Sequence, residues 1–285
     1  MIQRTGWEGT ALEHDSPIAY AHRGGNLAAP ENTMEAFEHA VAELGFAYLE
    51  TDVHLLADGE LAAWHDDTLA DDTPISMLTL RDLRAVQRDG YGVAALSDLL
   101  EAFPSNRWSI DAKHDAAVEP YLETLRHHNA FGRVILASFS EDSVARLRAG
   151  APAGTPSAMS EQEVGKFWFA CMGMPLDGYD GLWHGDIASI PATKEFGDEI
   201  IDVVNEQFVE GAHKRSVEVH VWTVNEAKEM SRLLDLGVDG IYTDDPATLK
   251  QVFAARGYSV GLSPSANKRP AYKYPRKMNW LERHL

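Results

Sequence analysis

Rhythm restricts this chain more than any other feature. From residue 18 to residue 250, short runs rich in β-branched and aromatic residues alternate with helical periodicity, and no linker or low-complexity stretch interrupts them. Residues 18–22, 47–53, 108–113, 134–138, 156–159, 181–184, 217–224 and 240–243 read as strands. Helical windows fall between most of them. In 33–44, Ala36, Phe37, Ala40, Val41 and Leu44 share one face, and 118–128, 140–149, 199–213 and 226–236 behave likewise. Asn32 followed by Glu35 predicts a capped start for the first helix. Asp58-Gly59 predicts a tight turn before a short strand at 61–64. Eight parallel-capable strands with such crossovers predict an α/β fold, a (β/α)8 TIM barrel. A doubly wound sheet is the runner-up, and no glycine-rich phosphate loop supports it. Residues 66–103 are too long for one crossover and predict a small helical insertion after the second strand. The expected organisation is an N-terminal extension (1–17), a barrel domain (18–260) and a C-terminal tail (261–285).

Charge narrows the partners. With 25 Lys and Arg against 44 Asp and Glu, the net charge is −19, which disfavours binding a nucleic-acid backbone over the whole surface. A small anionic substrate stays compatible, because one metal ion and a few cations reverse the field locally. The tail is the exception: residues 265–285 carry six basic residues against the single acid Glu282, and are expected to lie over the acidic body of this chain or of a neighbour. A lone cysteine, Cys171, excludes an intrachain disulfide and a cysteine-rich zinc site. No run approaches the roughly 18 apolar residues of a membrane helix, and the first residues lack the pattern of a secretion signal. The expectation is a cytoplasmic enzyme with a small-molecule partner, no nucleic acid and no integral membrane segment. Oligomeric state is not legible.

In a barrel, active residues stand at the C-terminal ends of strands. The first strand ends in His22-Arg23-Gly24-Gly25. On the second, Glu50, Asp52 and His54 share one face because a strand has period two, and the hairpin beyond ends in His65-Asp66. The third ends in Ser109, Asp111 and Lys113, the seventh holds His220 and Trp222, and the eighth ends in Thr243-Asp244. Three acids converging in a narrow barrel must be protonated or neutralised, and a hard divalent cation with oxygen ligands, Mg²⁺ or Ca²⁺, does this. Salt bridges of the same acids with Arg23 and Lys113 are the competing structural explanation. Two histidines flanking such a site suit general acid–base roles, and Arg23 and Lys113 suit phosphate oxygens.

These motifs carry a resemblance. Ala21-His22-Arg23-Gly24, Pro30-Glu31-Asn32-Thr33, Leu49-Glu50-Thr51-Asp52-Val53, Asp58-Gly59 and His65-Asp66 resemble the opening of the glycerophosphodiester phosphodiesterase family. Ile110-Asp111-Ala112-Lys113, Ser138-Phe139, residues 221–225 and residues 237–246 are similar to its later motifs. The resemblance implies a metal-dependent barrel enzyme that releases an alcohol and sn-glycerol 3-phosphate. Glu50, Asp52 and Asp111 would hold the metal, His22 and His65 would move protons, Arg23 and Lys113 would hold phosphate, and Trp222 would flank the organic part of the substrate. Glu31 would orient Arg23 or the helix start. The chain departs from the pattern at Asp111, where the family usually has Glu. Two rivals are a phospholipase D-like member acting on lysolipids or sphingolipids, and an inactive barrel that binds phosphodiesters.

Overall fold

A computed structural model describes residues 7–86, 91–174, 183–197 and 199–262. β1 (Ile18–Ala21) passes through a 3₁₀ turn at His22–Gly24 to α1 (Met34–Glu38), which widens into a π-helical turn at His39–Glu43. β2 (Tyr48–Leu55), β3 (Leu61–Ala63), α2 (Leu80–Ala85), α3 (Leu96–Ala102) and β4 (Arg107–Ala112) follow. Next come α4 (Val118–His127), β5 (Val134–Ala137), α5 (Glu141–Gly150) and α6 (Glu161–Cys171). The chain continues with β6 (Ile187–Pro191), the hairpin β7 (Thr193–Phe196) and β8 (Glu199–Asp202), and α7 (Glu206–His213). β9 (Glu218–Trp222), α8 (Ala227–Leu236), β10 (Gly240–Thr243) and α9 (Pro246–Ala255) complete it.

Seven strands run parallel in the order β5-β4-β2-β1-β10-β9-β6, with β3 antiparallel against β2. The sheet curls, and both of its outer strands bridge in parallel to the short stretch before α6: Leu136 pairs with Ser157, and Ala158 with Ile187. Such strands are covered on both faces, which is why they read as near-continuous apolar runs. All four residues of β1 and all six of β4 are buried. Helical side chains such as Phe37, Leu122, Phe167 and Phe253 pack with the sheet in one apolar core.

Several expectations change. The strand observed at the sixth position is β6. Residues 181–182 of the strand expected at 181–184 lie outside the described residues, and the backbone N–H groups of His184 and Gly185 donate to Glu163 rather than to a ladder. The helix expected over 199–213 begins only after Asn205, whose side chain accepts from Phe208 N at 3.0 Å. Before it, Ile200 and Ile201 favour β structure and pair with Glu195 and Lys194. The first helix is capped by Thr33, which accepts from Ala36 N at 3.3 Å. Asn32 cannot cap it, because its φ of 58° is not the extended conformation a cap needs. Residues 66–103 also divide. Leu96, Leu99 and Leu100 of α3 belong to the main core, whereas Ile75, Leu83 and Val93 form a separate small cluster with Leu56 and Ala62. The basic stretch 265–285 lies outside the described residues. Among those described, no helix is long and apolar enough to cross a membrane.

Candidate active site

The parallel strands all deliver their C-terminal ends to one end of the sheet. There, His22, Arg23, Glu50, Asp52, His65, Asp111, Lys113 and Trp222 line a single cavity of about 560 Å³. Register explains the grouping. Asp52 lies beside Asp111, and Glu50 beside Ser109, in the parallel β2–β4 pair. Period two then puts Glu50, Asp52 and Asp111 on the same face.

The turn after β1 is tightly held. Arg23 has a φ of 53°, an uncommon conformation for a side-chain-bearing residue. Its backbone N–H donates to Glu50 Oε2 at 3.0 Å, its Nη1 donates to Glu31 Oε2 at 2.9 Å, and its Nε lies 3.1 Å from Asp52 Oδ2. Gly24 is needed for close packing: a Cβ there would lie 2.9 Å from Phe37 N. The glycine thus fits the turn to α1.

Each histidine leans on a carboxylate. His22 Nδ1 lies 2.6 Å from Asp244 Oδ1, and its Nε2 is 3.7 Å from Glu50 Oε2. Asn225 donates to the other oxygen of Asp244 at 3.0 Å. Burial works against the charged ring of His22, but Glu50 and Asp244 outweigh it and raise the pKa. His65, more exposed, has Nδ1 2.8 Å from Asp66 Oδ1.

The acids are under stress. Lys113 Nζ lies 3.1 Å from Asp52 Oδ1 and 3.4 Å from Asp111 Oδ2, yet neither oxygen of Asp111 receives a hydrogen bond. Burial, then the charge of Asp52, pushes Glu50 up to about 8. Burial raises Asp111 to about 6 against the pull of Lys113. The hard oxygen donors and orphaned buried carboxylate atoms fit a Mg²⁺- or Ca²⁺-type ion. In the metal-free structure Arg23 pairs with Asp52, and Lys113 with Asp52 and Asp111. Among the described residues, the group of three whose donor atoms all lie within 4.8 Å of one another is His54, Asp67 and His114.

Trp222 meets Phe139 edge-on, with ring centroids 5.9 Å apart. Val164, Trp168, Phe169, Ile190 and Val203 extend an apolar wall from them. Sequence reasoning placed Asp244 at the end of the last strand but did not foresee that it supports His22, nor that Asn225 in turn holds Asp244, because the His22–Asp244 pair spans the chain. The β7–β8 hairpin and α6, which help shape the wall, carried no recognised motif.

Comparisons with known proteins place the chain as a whole. The sequence matches the profile of the Glycerophosphoryl diester phosphodiesterase family over residues 22–161 and 176–248. It is 36% identical over 258 residues to the Mycobacterium tuberculosis protein named "Probable glycerophosphodiester phosphodiesterase 2", covering 86% of this chain and 94% of that one. Its fold is similar to a solved glycerophosphodiester phosphodiesterase from Parabacteroides distasonis (TM-score 0.67, 20% identity, 86% and 99% of the two chains). It is also similar to an Oleispira antarctica phosphodiesterase solved with its product sn-glycerol-3-phosphate (TM-score 0.65, 17% identity, 84% and 97%).

Proposed function

The chain belongs to the glycerophosphoryl diester phosphodiesterase family, and we propose that it hydrolyses glycerophosphodiesters to an alcohol and sn-glycerol 3-phosphate on a (β/α)8 barrel spanning residues 18–260. In this organisation 1–17 and 261–285 are flanking segments, and part of 66–103 is an insertion. One observation carries the functional reading: both histidines, all three acids, both cations and Trp222 line the same cavity.

Glu50, Asp52 and Asp111 would hold a divalent cation, Mg²⁺ or Ca²⁺. When bound, it supplies neutralising charge to the phosphoryl oxygens. Arg23 and Lys113 bind the same oxygens and fix the diester against the acids' repulsion. His65, supported by Asp66, accepts the proton of the glycerol 2-hydroxyl as that oxygen attacks phosphorus. The bond from phosphorus to the alcohol oxygen breaks, and His22 gives its proton to the leaving oxygen. Asp244 holds Nδ1 of His22 and leaves Nε2 for this transfer. The cyclic phosphate then opens when water attacks phosphorus, with His22 as base and His65 as acid. Trp222 and Phe139 flank the organic part.

A second reading rests on the apolar wall at Val164, Trp168, Phe169 and Ile190, which suits a lysolipid as well as a water-soluble headgroup diester. One assay tests both: release of glycerol 3-phosphate from glycerophosphodiesters, with and without chelator, beside release from lysolipids. Chelator-sensitive turnover of the soluble diesters is expected. A clear preference for lysolipid would favour the second reading, and binding without turnover at any added metal would overturn both.

A further inference from the structure

Three neighbouring segments bring a second set of donors together just above the acids. His54 lies one pleat beyond Asp52 on β2, and its partner across the antiparallel pair is Ala62 of β3. Asp67 follows the turn that leaves β3. His114 lies just past β4, where Lys113 N still donates to Val53 O at 3.1 Å and extends the ladder. The donor atoms of His54, Asp67 and His114 lie within 4.8 Å of one another. His114 Nε2 and Asp67 Oδ1 are 3.3 Å apart, close to the roughly 3.3–3.4 Å that separates two ligands about 2.0–2.1 Å from one tetrahedral ion.

The donors differ in kind from those of the carboxylate site. Two imidazoles and one carboxylate suit a borderline-soft ion such as Zn²⁺, not Mg²⁺ or Ca²⁺. His54 is buried, while Asp67 and His114 face solvent, so an ion can enter from outside and keep a fourth position for water. His54 Nε2 donates to the backbone carbonyl of His65 at 3.2 Å. Such a bond from one ring nitrogen to a carbonyl orients metal-ligating histidines and leaves the other nitrogen to ligate.

We propose that His54, Asp67 and His114 form a second cation site, selective for a Zn²⁺-type ion, that ties the loop carrying His65 to β2 and β4. The ligand Asp67 is two residues from His65, and the ligand His54 bonds to the His65 carbonyl. A bound ion therefore restrains the loop from both sides. Ion binding is independent of the catalytic reading of His65; any gain in turnover rests on it.

Co²⁺ serves as a visible stand-in for Zn²⁺. The full chain, stripped of metal and held in excess Mg²⁺, is titrated with Co²⁺, and its visible absorption is followed. One equivalent should bind with the spectrum of mixed nitrogen and oxygen ligation. His114→Gln and Asp67→Asn, both at the surface, should each weaken binding by at least roughly ten-fold, because each removes one of three ligands. Asp52→Ala should leave it intact. Hydrogen exchange of backbone amides around His65 should slow on adding Zn²⁺ to the parent chain, and should not respond in His114→Gln. Co²⁺ binding that survives both surface variants but vanishes in Asp52→Ala would overturn the proposal, as would failure to bind at millimolar Co²⁺. Loss of diesterase activity alone would leave these readouts unchanged.

Discussion

The two ends of the sheet bury similar residues and treat them oppositely. At the N-terminal end, Glu218, the first residue of β9, is almost wholly buried and lies 3.1 Å from His14 Nε2 and 3.0 Å from His220 Nε2. His220 Nδ1 is 3.3 Å from the Tyr20 hydroxyl, and Tyr20 stacks on Tyr242. Burial alone would raise the pKa of Glu218, but the two imidazoles pull it far below the ordinary value. At the C-terminal end, Glu50 and Asp111 are held above theirs, and both oxygens of Asp111 lack a hydrogen bond. A buried polar network is stable when complete and costly when partial. The two networks differ in what finishes them. The lower one is completed by the chain itself, with His14 supplied by the segment before β1. In the upper one, both oxygens of Asp111 stay without a hydrogen bond.

The largest test separates catalysis from stability. His22→Ala and His65→Ala should each lower kcat by about 10²–10⁴, with melting temperature little changed and substrate binding nearly retained. An activated diester with a good leaving group should partly rescue His22→Ala and not His65→Ala, as a steady-state comparison of the two substrates would show. Glu218→Gln should do the reverse. Breaking a buried ionic network by removing one partner costs about 3–5 kcal/mol, so denaturant unfolding should reveal a large loss, while kcat per folded molecule stays at the parent value.

Asp111→Asn probes the strain at the upper end. It removes a buried charge whose pKa is raised to about 6, so the metal-free protein should gain about 1–3 kcal/mol and lose cation binding. Calorimetry of metal-free samples, followed by a Ca²⁺ titration, checks both. A loss of stability would mean that Asp111 is already satisfied and that the contrast between the ends is wrong.

Much of the upper end was legible because it is written in short-range spacing. Glu50 and Asp52 lie two apart on one strand, as do Asp111 and Lys113, and His22-Arg23 sits at a strand end. The lower end was not legible. His14 and Glu218 are 204 positions apart, and neither has a local partner to mark it. A similar distance in sequence hid the pairing of Asp244, itself visible at a strand end, with His22, 222 positions away. Register errors had another cause: at 199–202 helical periodicity competed with β-branched residues and lost to pairing with β7. For the sixth strand, the Ile187–Pro191 run outweighed the residues before it, whose backbone donors serve Glu163.

A pH series sharpens the contrast with a smaller effect. In the folded metal-free chain Glu50 and Asp111 hold protons to higher pH than in the unfolded chain, so folded protein binds more protons between about 4.5 and 8. Stability from this end therefore falls as pH rises through that window. His22, whose pKa is raised, contributes in the same direction above its unfolded value of 6.5. His14 at the lower end is raised as well and adds to the same slope. The part belonging to the upper end is the part that saturating Ca²⁺ or Mg²⁺ removes, measured as the difference between two melting curves at each pH. The depressed Glu218 acts oppositely: its contribution is present above about 4.5 and is lost as pH falls below that value, with or without cation. The smallest expected effect is that of Asp111→Glu, which lengthens the proposed ligand by one methylene and should shift the Mg²⁺–Ca²⁺ preference in a competition titration without abolishing turnover.

The position of the ion itself decides whether the three carboxylates hold it. Crystals of the protein soaked in Mn²⁺, a hard cation with an anomalous signal, should show a peak between Glu50, Asp52 and Asp111, with ligand distances near those of an oxygen-coordinated divalent ion, about 2.0–2.6 Å. Carboxylates still paired with Arg23 and Lys113, with no peak among them under conditions where turnover requires the cation, would mean that the cation binds elsewhere.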